Sequence, residues 1–383
     1  MLSDKPVRRY IEEQADVFAK AIDEHIYYEL QSELVADLKD NAYIFSGFKT
    51  YHALSEVGLS MQDEDGNVKS WSQFRNDVKA IDKKYNERWL KTEYNYALNQ
   101  ALMAGQWATF SDNTDLYALQ YRTVGDNSVR DSHKVLNGIT LTKDDPFWIK
   151  YYTPNGWGCR CAIVQVLIKD HPLSNSKKAT AIAEEEVKEL FKFNSAKERR
   201  LFPDKHPYFG KKGIKHCDST LNLAYGNDDP CKVLSEVVKA KELRDYQQKA
   251  KENSRLVRQS INQHKGVRFE SKEFVSGGLT MLRRSLKDIS EHAHEDVITQ
   301  KWLSEYKAGD TFNAKYIGYK ECITDKNGVR KHPEAEYFTY YETELYGEKR
   351  YLNVKIHRHH NMDEVLYTIE TQEPLNPIKK KKG

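Results

Sequence analysis

The chain has 383 residues, with 60 Lys and Arg against 57 Asp and Glu and a formal net charge of +3. That length exceeds one ordinary domain and implies two or three, and the near-balanced charge excludes general attraction to polyanions, so nucleic acid would have to meet a local patch. A mean hydropathy of −0.79 beside 11% aromatic residues points to long solvated helices around a packed core rather than to disorder.

Met1 to Tyr10 leads into no apolar run, so no signal peptide is expected. No stretch nears ~18 apolar residues, so no membrane partner is expected either. Five cysteines, odd in number and scattered, argue for a reduced compartment and against a disulfide framework.

The first predicted element is a helix opened by Pro6, with Tyr10, Gln14, Val17 and Ala21 as its buried stripe. Residues 41–70 read as interrupted at Gly47, Gly58 and Gly66, and Asp65-Gly66-Asn67 has turn chemistry. The clearest helix carries Leu90, Tyr94, Ala97, Ala101, Ala104 and Ala108 on one face, flanked by Trp89 and Trp107. Its small residues would admit a neighbouring helix closely. Leu119 to Val124 reads as a strand, Val129 to Leu136 as a short helix and Cys159 to Ile168 as a second strand. A helix follows over 179–193, and His206-Pro207-Tyr208 is irregular.

Gly226 to Pro230 concentrates turn formers and marks a boundary, after which Val233 to Ile261 reads as a charged, solvated helix. Farther on, Leu279, Leu282, Leu286, Ile289, Ala293 and Val297 fit one amphipathic helix. Strands are expected around 311–323, 336–345, 350–358 and 364–371. The fold class is α+β. A mainly helical N-terminal domain with a small β element spans 1–225, and a charged helical linker spans 226–265. A C-terminal α+β domain with an antiparallel sheet spans 266–373, and 374–383 is a basic tail.

Residues 121–164 hold the densest chemistry. Cys159 and Cys161, two apart on the expected strand, direct both thiols to one face and with His133 could supply three zinc ligands. A fourth would come from Cys217 or a carboxylate. The plain alternative is a pair of buried cysteines, with His133 hydrogen-bonded to Asp126 or Asp144. A catalytic Cys–His pair is disfavoured, because Trp148 and Trp157 suggest a closed aromatic site.

The order of motifs here resembles the Mu-type F (MuF) minor head protein, or phage head morphogenesis, family. The matching residues are Trp89 to Tyr94, then Arg122 to Asp126, Arg130 and His133. They continue with Asp144-Asp145-Pro146-Phe147-Trp148, Pro154-Asn155 and Cys159-Arg160-Cys161, and His206-Pro207-Tyr208 resembles the closing segment. The resemblance covers roughly 1–220. It implies a structural role at a few copies per capsid, near the portal, with portal and capsid or scaffold proteins as partners. The implied location is the virion, and the host cytoplasm during assembly or after delivery. For Arg122, Asp126, Arg130, Asp145 and Trp148 it implies a framework that fixes the loop rather than catalysis.

Proteins of this type often end in toxin or enzyme domains. Residues 270–373 resemble the barnase–EndoU–colicin–RelE group of small nucleases, through the helix Arg283-Arg284-Ser285 to His292 and a Tyr-rich sheet ending in Leu366-Tyr367-Thr368. In 350–358 the pleat would bury Leu352, Val354 and Ile356 and expose Tyr351, Asn353, Lys355 and His357. Ser285 and His292 are seven apart and share a helix face. RNA cleavage without metal or other cofactor needs a base, an acid and a cation. His292 and His357 suit the proton transfers, Lys355 or Arg283 the cation, and Tyr367 base stacking or proton donation, with Thr368 beside it. RNA would be the substrate and an immunity protein a companion. The plain alternative is a set of solvated histidines on a binding-only domain.

Overall fold

The computed structural model describes residues 2, 4–26, 31–210, 213–215, 217, 229–263, 267–324, 328–358 and 362–374. The fold is α+β, and the chain divides into two compact units, Met1–Val238 and Lys239–Gly383. The division falls inside one long helix. Of the turn-rich boundary expected at 226–230, residues 226–228 lie outside the described residues, as does most of the basic tail.

In the first unit, α1 (Lys5–His25) packs against α2 (Ser32–Leu59) and α4 (Leu90–Thr109). The buried set of α1 includes Ile11, Gln14, Ala15, Phe18, Ala21 and Ile22, which keeps Gln14 and Ala21 of the expected stripe but not Tyr10 and Val17. The bulky Ile11 and Phe18 claim the core, and Tyr10 and Val17 fall to its margin. Gln14 is still buried, and its amide donates to Thr50 Oγ1 at 3.2 Å.

The expected break at Gly47 is absent, since α2 runs straight through it. A Cβ there would lie 2.5 Å from Val237 Cγ2. The glycine is thus a close-approach residue, and packing outweighs its ~1 kcal/mol helix penalty. Asp63 to Asn67 forms the expected turn, with Gly66 at φ +82°.

A Ser70–Gln73 capping box opens α3 (Trp71–Asp82). The chain then continues through a π-helical stretch, Lys83–Trp89, directly into α4. Ala97, Ala101 and Ala104 of the expected α4 stripe are buried, whereas Ala108 is exposed.

The small sheet has order β2-β1-β3 and is antiparallel, with β1 Tyr117–Arg122, β2 Thr140–Leu141 and β3 Ala162–Leu167. Short helices α5 (Asp131–Lys134) and α6 (Phe147–Lys150) lie in its connections. The helix expected over 179–193 is α7 (Ser176–Glu186), capped by Asn175 and followed by a 3-10 turn, and α8 (Ser195–Glu198) comes next. His206-Pro207-Tyr208 enters a 3-10 turn that packs on α2, where His52 Nε2 lies 2.9 Å from Tyr208 O.

Cys217 and Cys231 form a disulfide. This corrects the expectation of no disulfide, and it removes Cys217 from the pool of metal ligands.

The long helix, α9 (Pro230–Gln263), is less solvated than its composition suggests. Val233, Leu234 and Val237 join the first core, and Ala250, Val257 and Ile261 join the second.

The second unit is built on a six-stranded sheet of order β4-β5-β9-β8-β7-β6. The strands are β4 (Val267–Glu270), β5 (Gly278–Met281), β6 (Ala314–Glu321), β7 (Ala335–Leu345), β8 (Glu348–His357) and β9 (Asp363–Glu370). Only β5–β9 pairs in parallel. The four expected strands are β6 to β9. The single amphipathic helix expected from Leu279 to Val297 is three elements: β5, α10 (Arg283–His292) and α11 (Val297–Glu305). All four residues of β5 are buried between β4 and β9, so no alternation betrays it as a strand.

Candidate functional site

In the first unit, α5 presents His133, and the extended run Cys159-Arg160-Cys161 approaches it just before β3 begins. The cysteines therefore precede the strand on which they were expected, yet both thiols converge. Cys159 Sγ lies 3.7 Å and Cys161 Sγ 3.5 Å from His133 Nδ1. All three ligand atoms lie within 4.8 Å of one another. The side chains are 4, 3 and 8% exposed for His133, Cys159 and Cys161.

A hydrogen bond from Cys161 holds the Cys159 thiol well below its ordinary range, with His133 adding to the effect against burial. Supplying that bond, together with burial, pushes Cys161 up.

The surrounding framework explains the convergence. Arg130 donates to Trp157 O at 2.5 Å, and Arg160 pairs with Asp126 at 2.8 Å. That pairing holds the Asp126 carboxyl below the usual range. It also corrects the alternative in which Asp126 binds His133. Asp145 Oδ1 accepts from Phe147 N at 2.8 Å and Ser176 Oγ at 3.1 Å, and the buried Trp148 donates to Thr142 O at 3.0 Å. Arg122 stands apart, exposed and bonded to Gln120.

In the second unit, Ser285, Lys355, His357 and Tyr367 line one pocket of about 50 Å3, joined by Arg284, Asp288 and Glu334. Leu352, Val354 and Ile356 are buried as expected, but the opposite side of β8 is not open. Lys355 is only 5% exposed, and Tyr351 is also buried. Lys355 Nζ sits 3.6 Å from the Tyr367 ring centroid and donates to Glu334 Oε1 at 2.9 Å. Burial raises the Glu334 carboxyl, but the Lys355 ammonium outweighs it and the net shift is downward. Burial lowers His332, whose ring packs 5.3 Å from that of Tyr367.

His292 does not line the pocket. Its Nε2 lies 3.2 Å from Tyr367 Oη, so it meets the cluster through the phenol. Ser285 Oγ accepts from Leu282 N at 3.2 Å and so fixes the start of α10. Thr368 is buried and donates to Glu370 at 3.0 Å, away from the pocket. Arg283 faces a different groove of about 530 Å3, shared with Lys251, Arg255, Arg258 and Lys287.

Sequence reasoning missed Glu334 and Asp288, and named Arg284 only as part of the resembling helix. Arg284 and Asp288 were accessible by helical spacing, since 284 and 288 are one turn apart beside Ser285. Glu334 carries no local signal, being 21 residues from Lys355.

Residues 56–164 match the family described as Phage Mu protein F like protein. The chain is also 40% identical over 77 residues to the putative capsid assembly protein F of Escherichia phage Mu, covering 20% of this chain and 18% of that one. It is 39% identical over 64 residues to the Mu-like prophage FluMu F protein of Haemophilus influenzae, covering 16% of each. The chain thus spans less than a fifth of these curated relatives. No solved structure matches. The matched segment holds α3, α4, β1, β2 and the framework residues from Arg122 to Cys161, and over that segment the chain is similar to the Phage Mu protein F like family.

Proposed function

We propose that this chain is a minor head protein of a Mu-like phage or prophage, acting in capsid assembly. The supporting observation is the family match over 56–164, which includes the buried framework around His133 and Trp148. In this reading residues 1–225 form the head-morphogenesis part and 226–265 the connecting helix. The partners are portal and capsid or scaffold proteins, and the site of action is the assembling head and the virion. Among the described residues no helix is long and apolar enough to cross a membrane. The test is to make particles with and without the chain and to probe purified heads for it. The reading expects the chain in the particles, and defective or empty heads without it. Normal, DNA-filled heads in its absence, and no chain in wild-type particles, would sink the proposal.

The second unit supports a further reading for residues 266–373, a metal-independent ribonuclease of toxin type. What favours it is the meeting of Ser285, Lys355, His357 and Tyr367 at one pocket, with the basic groove of Arg255, Arg258 and Arg283 on a neighbouring face of α10. The groove would hold RNA phosphates. His357 and His292, the latter through Tyr367, would exchange protons with the 2′-hydroxyl and the departing 5′-oxygen as a 2′,3′-cyclic phosphate forms. Lys355 would stabilise the phosphorane. A pocket of about 50 Å3 is smaller than a nucleotide, so Glu334 must release Lys355 first. Full-length protein induced in bacteria should then arrest growth and degrade RNA, and His357→Ala should relieve both. A cognate immunity protein is the expected companion. Growth and RNA unaffected by the induced wild-type chain leave the domain as a binding module.

A further inference from the structure

We infer that His133, Cys159 and Cys161 bind a zinc-class divalent metal ion, independently of any activity in the second unit. The geometry carries this. A tetrahedral zinc with Zn–S near 2.3 Å and Zn–N of about 2.0–2.1 Å sets each sulfur about 3.5–3.6 Å from the nitrogen. The two observed separations are 3.7 and 3.5 Å. Both sulfur–nitrogen edges therefore match that tetrahedron, and all three ligand atoms lie within 4.8 Å of one another.

The donor set chooses the metal class. Two sulfurs and one imidazole suit zinc and other soft or borderline ions, and the cluster contains no carboxylate to attract calcium or magnesium. Burial excludes competing water from the sulfurs. Two thiolates and one neutral imidazole would neutralise a divalent ion.

The ion has a physical task. Between β1 and β3 the chain makes only β2, α5 and α6, all short. A metal would staple α5 to the approach of β3 and close that connection, contributing folding free energy where regular hydrogen bonding is sparse.

The experiment is metal analysis of the full-length chain, expressed in zinc-supplemented medium and purified with a phosphine reductant. The expected result is stoichiometric zinc in the wild type, retained by Cys322→Ser and lost by Cys161→Ser and by His133→Ala. Should those variants fold poorly, cobalt added to metal-stripped wild type is the second readout. A thiolate-to-cobalt charge-transfer band, abolished by excess zinc, supports the site. Wild-type protein without stoichiometric metal and without that band overturns it, as does full zinc retention by Cys161→Ser.

Discussion

Replacing Glu93 with Gln isolates the most consequential buried charge of the first unit. Lys49 is 1% and Glu93 5% exposed, and Lys49 Nζ donates to Glu93 Oε2 at 2.5 Å. Tyr208 donates to the other carboxylate oxygen at 3.0 Å, which ties the closing 3-10 turn to α4. Burial pushes Lys49 down and Glu93 up, so desolvation outweighs the mutual attraction in both. Glu93→Gln keeps the shape and an acceptor for Tyr208 but strands the ammonium. Removing one partner of such a pair costs ~3–5 kcal/mol. A paired apolar replacement, Lys49→Met with Glu93→Leu, should cost much less than either single change, because the desolvation penalty vanishes with the charges.

Urea unfolding followed by tryptophan fluorescence reads this unit, since Trp71, Trp89, Trp107, Trp148 and Trp157 lie in it and only Trp302 lies beyond it. The pH dependence adds a signature. With Lys49 lowered in the folded state, the unfolded chain binds more protons as pH approaches the ordinary Lys value. Stability therefore rises with pH, and the Glu93→Gln deficit shrinks. A deficit under ~1 kcal/mol, or a double variant as unstable as the sum of the singles, refutes the reasoning.

Burial holds His206 down at about 3, and its Nδ1 accepts from Tyr208 N at 3.2 Å. The unfolded chain takes up that proton first on acidification. His206 thus contributes fully above pH ~6.5 and loses up to ~1.4 kcal/mol per pH unit as pH falls toward the folded value. His206→Asn keeps an acceptor there and should flatten the slope between pH 7 and 5, and matching slopes would count against this origin.

Asp296→Asn breaks the paired bonds from Arg350, at 2.8 and 2.9 Å, and weakens the cap of α11. A loss of ~3 kcal/mol, with faster amide exchange in Val297–Glu305, is expected, and unchanged exchange there would refute it. Gly47→Ala should gain ~1 kcal/mol of helix propensity and lose ~1–3 kcal/mol to overpacking on Val237. Net destabilisation in urea is the outcome, and a more stable variant would show that Val237 yields freely.

α4 and β6 to β9 were legible because apolar residues recur in each at helical or strand spacing. β5 was not, because every residue in it is buried. The stripe of α1 was read in part, since Gln14 and Ala21 are buried while Ile11 and Phe18 take the core places expected of Tyr10 and Val17. Gly47 looked like punctuation because a sequence does not reveal a Val237 arriving from 190 positions away. The His133–Cys159–Cys161 grouping was readable, since spacing and residue chemistry suffice to name it. The pairing of Cys217 with Cys231 was not, because five cysteines give no parity signal. On β8 the alternation correctly buried Leu352, Val354 and Ile356, but it wrongly exposed Tyr351 and Lys355, because it could not show that Glu334 and Tyr367 close over Lys355.

The wide-turned stretch Lys83–Trp89 between α3 and α4 bears on how homologous chains should be aligned. Such a stretch accommodates one more residue than ordinary helical winding would. A homologue one residue shorter in this window could wind regularly and still aim α3 and α4 at the same neighbours. Single-residue gaps are therefore expected to gather there, where they leave the helix phase intact, and to be rare in α4 itself, where one would rotate Ala97, Ala101 and Ala104 out of the core.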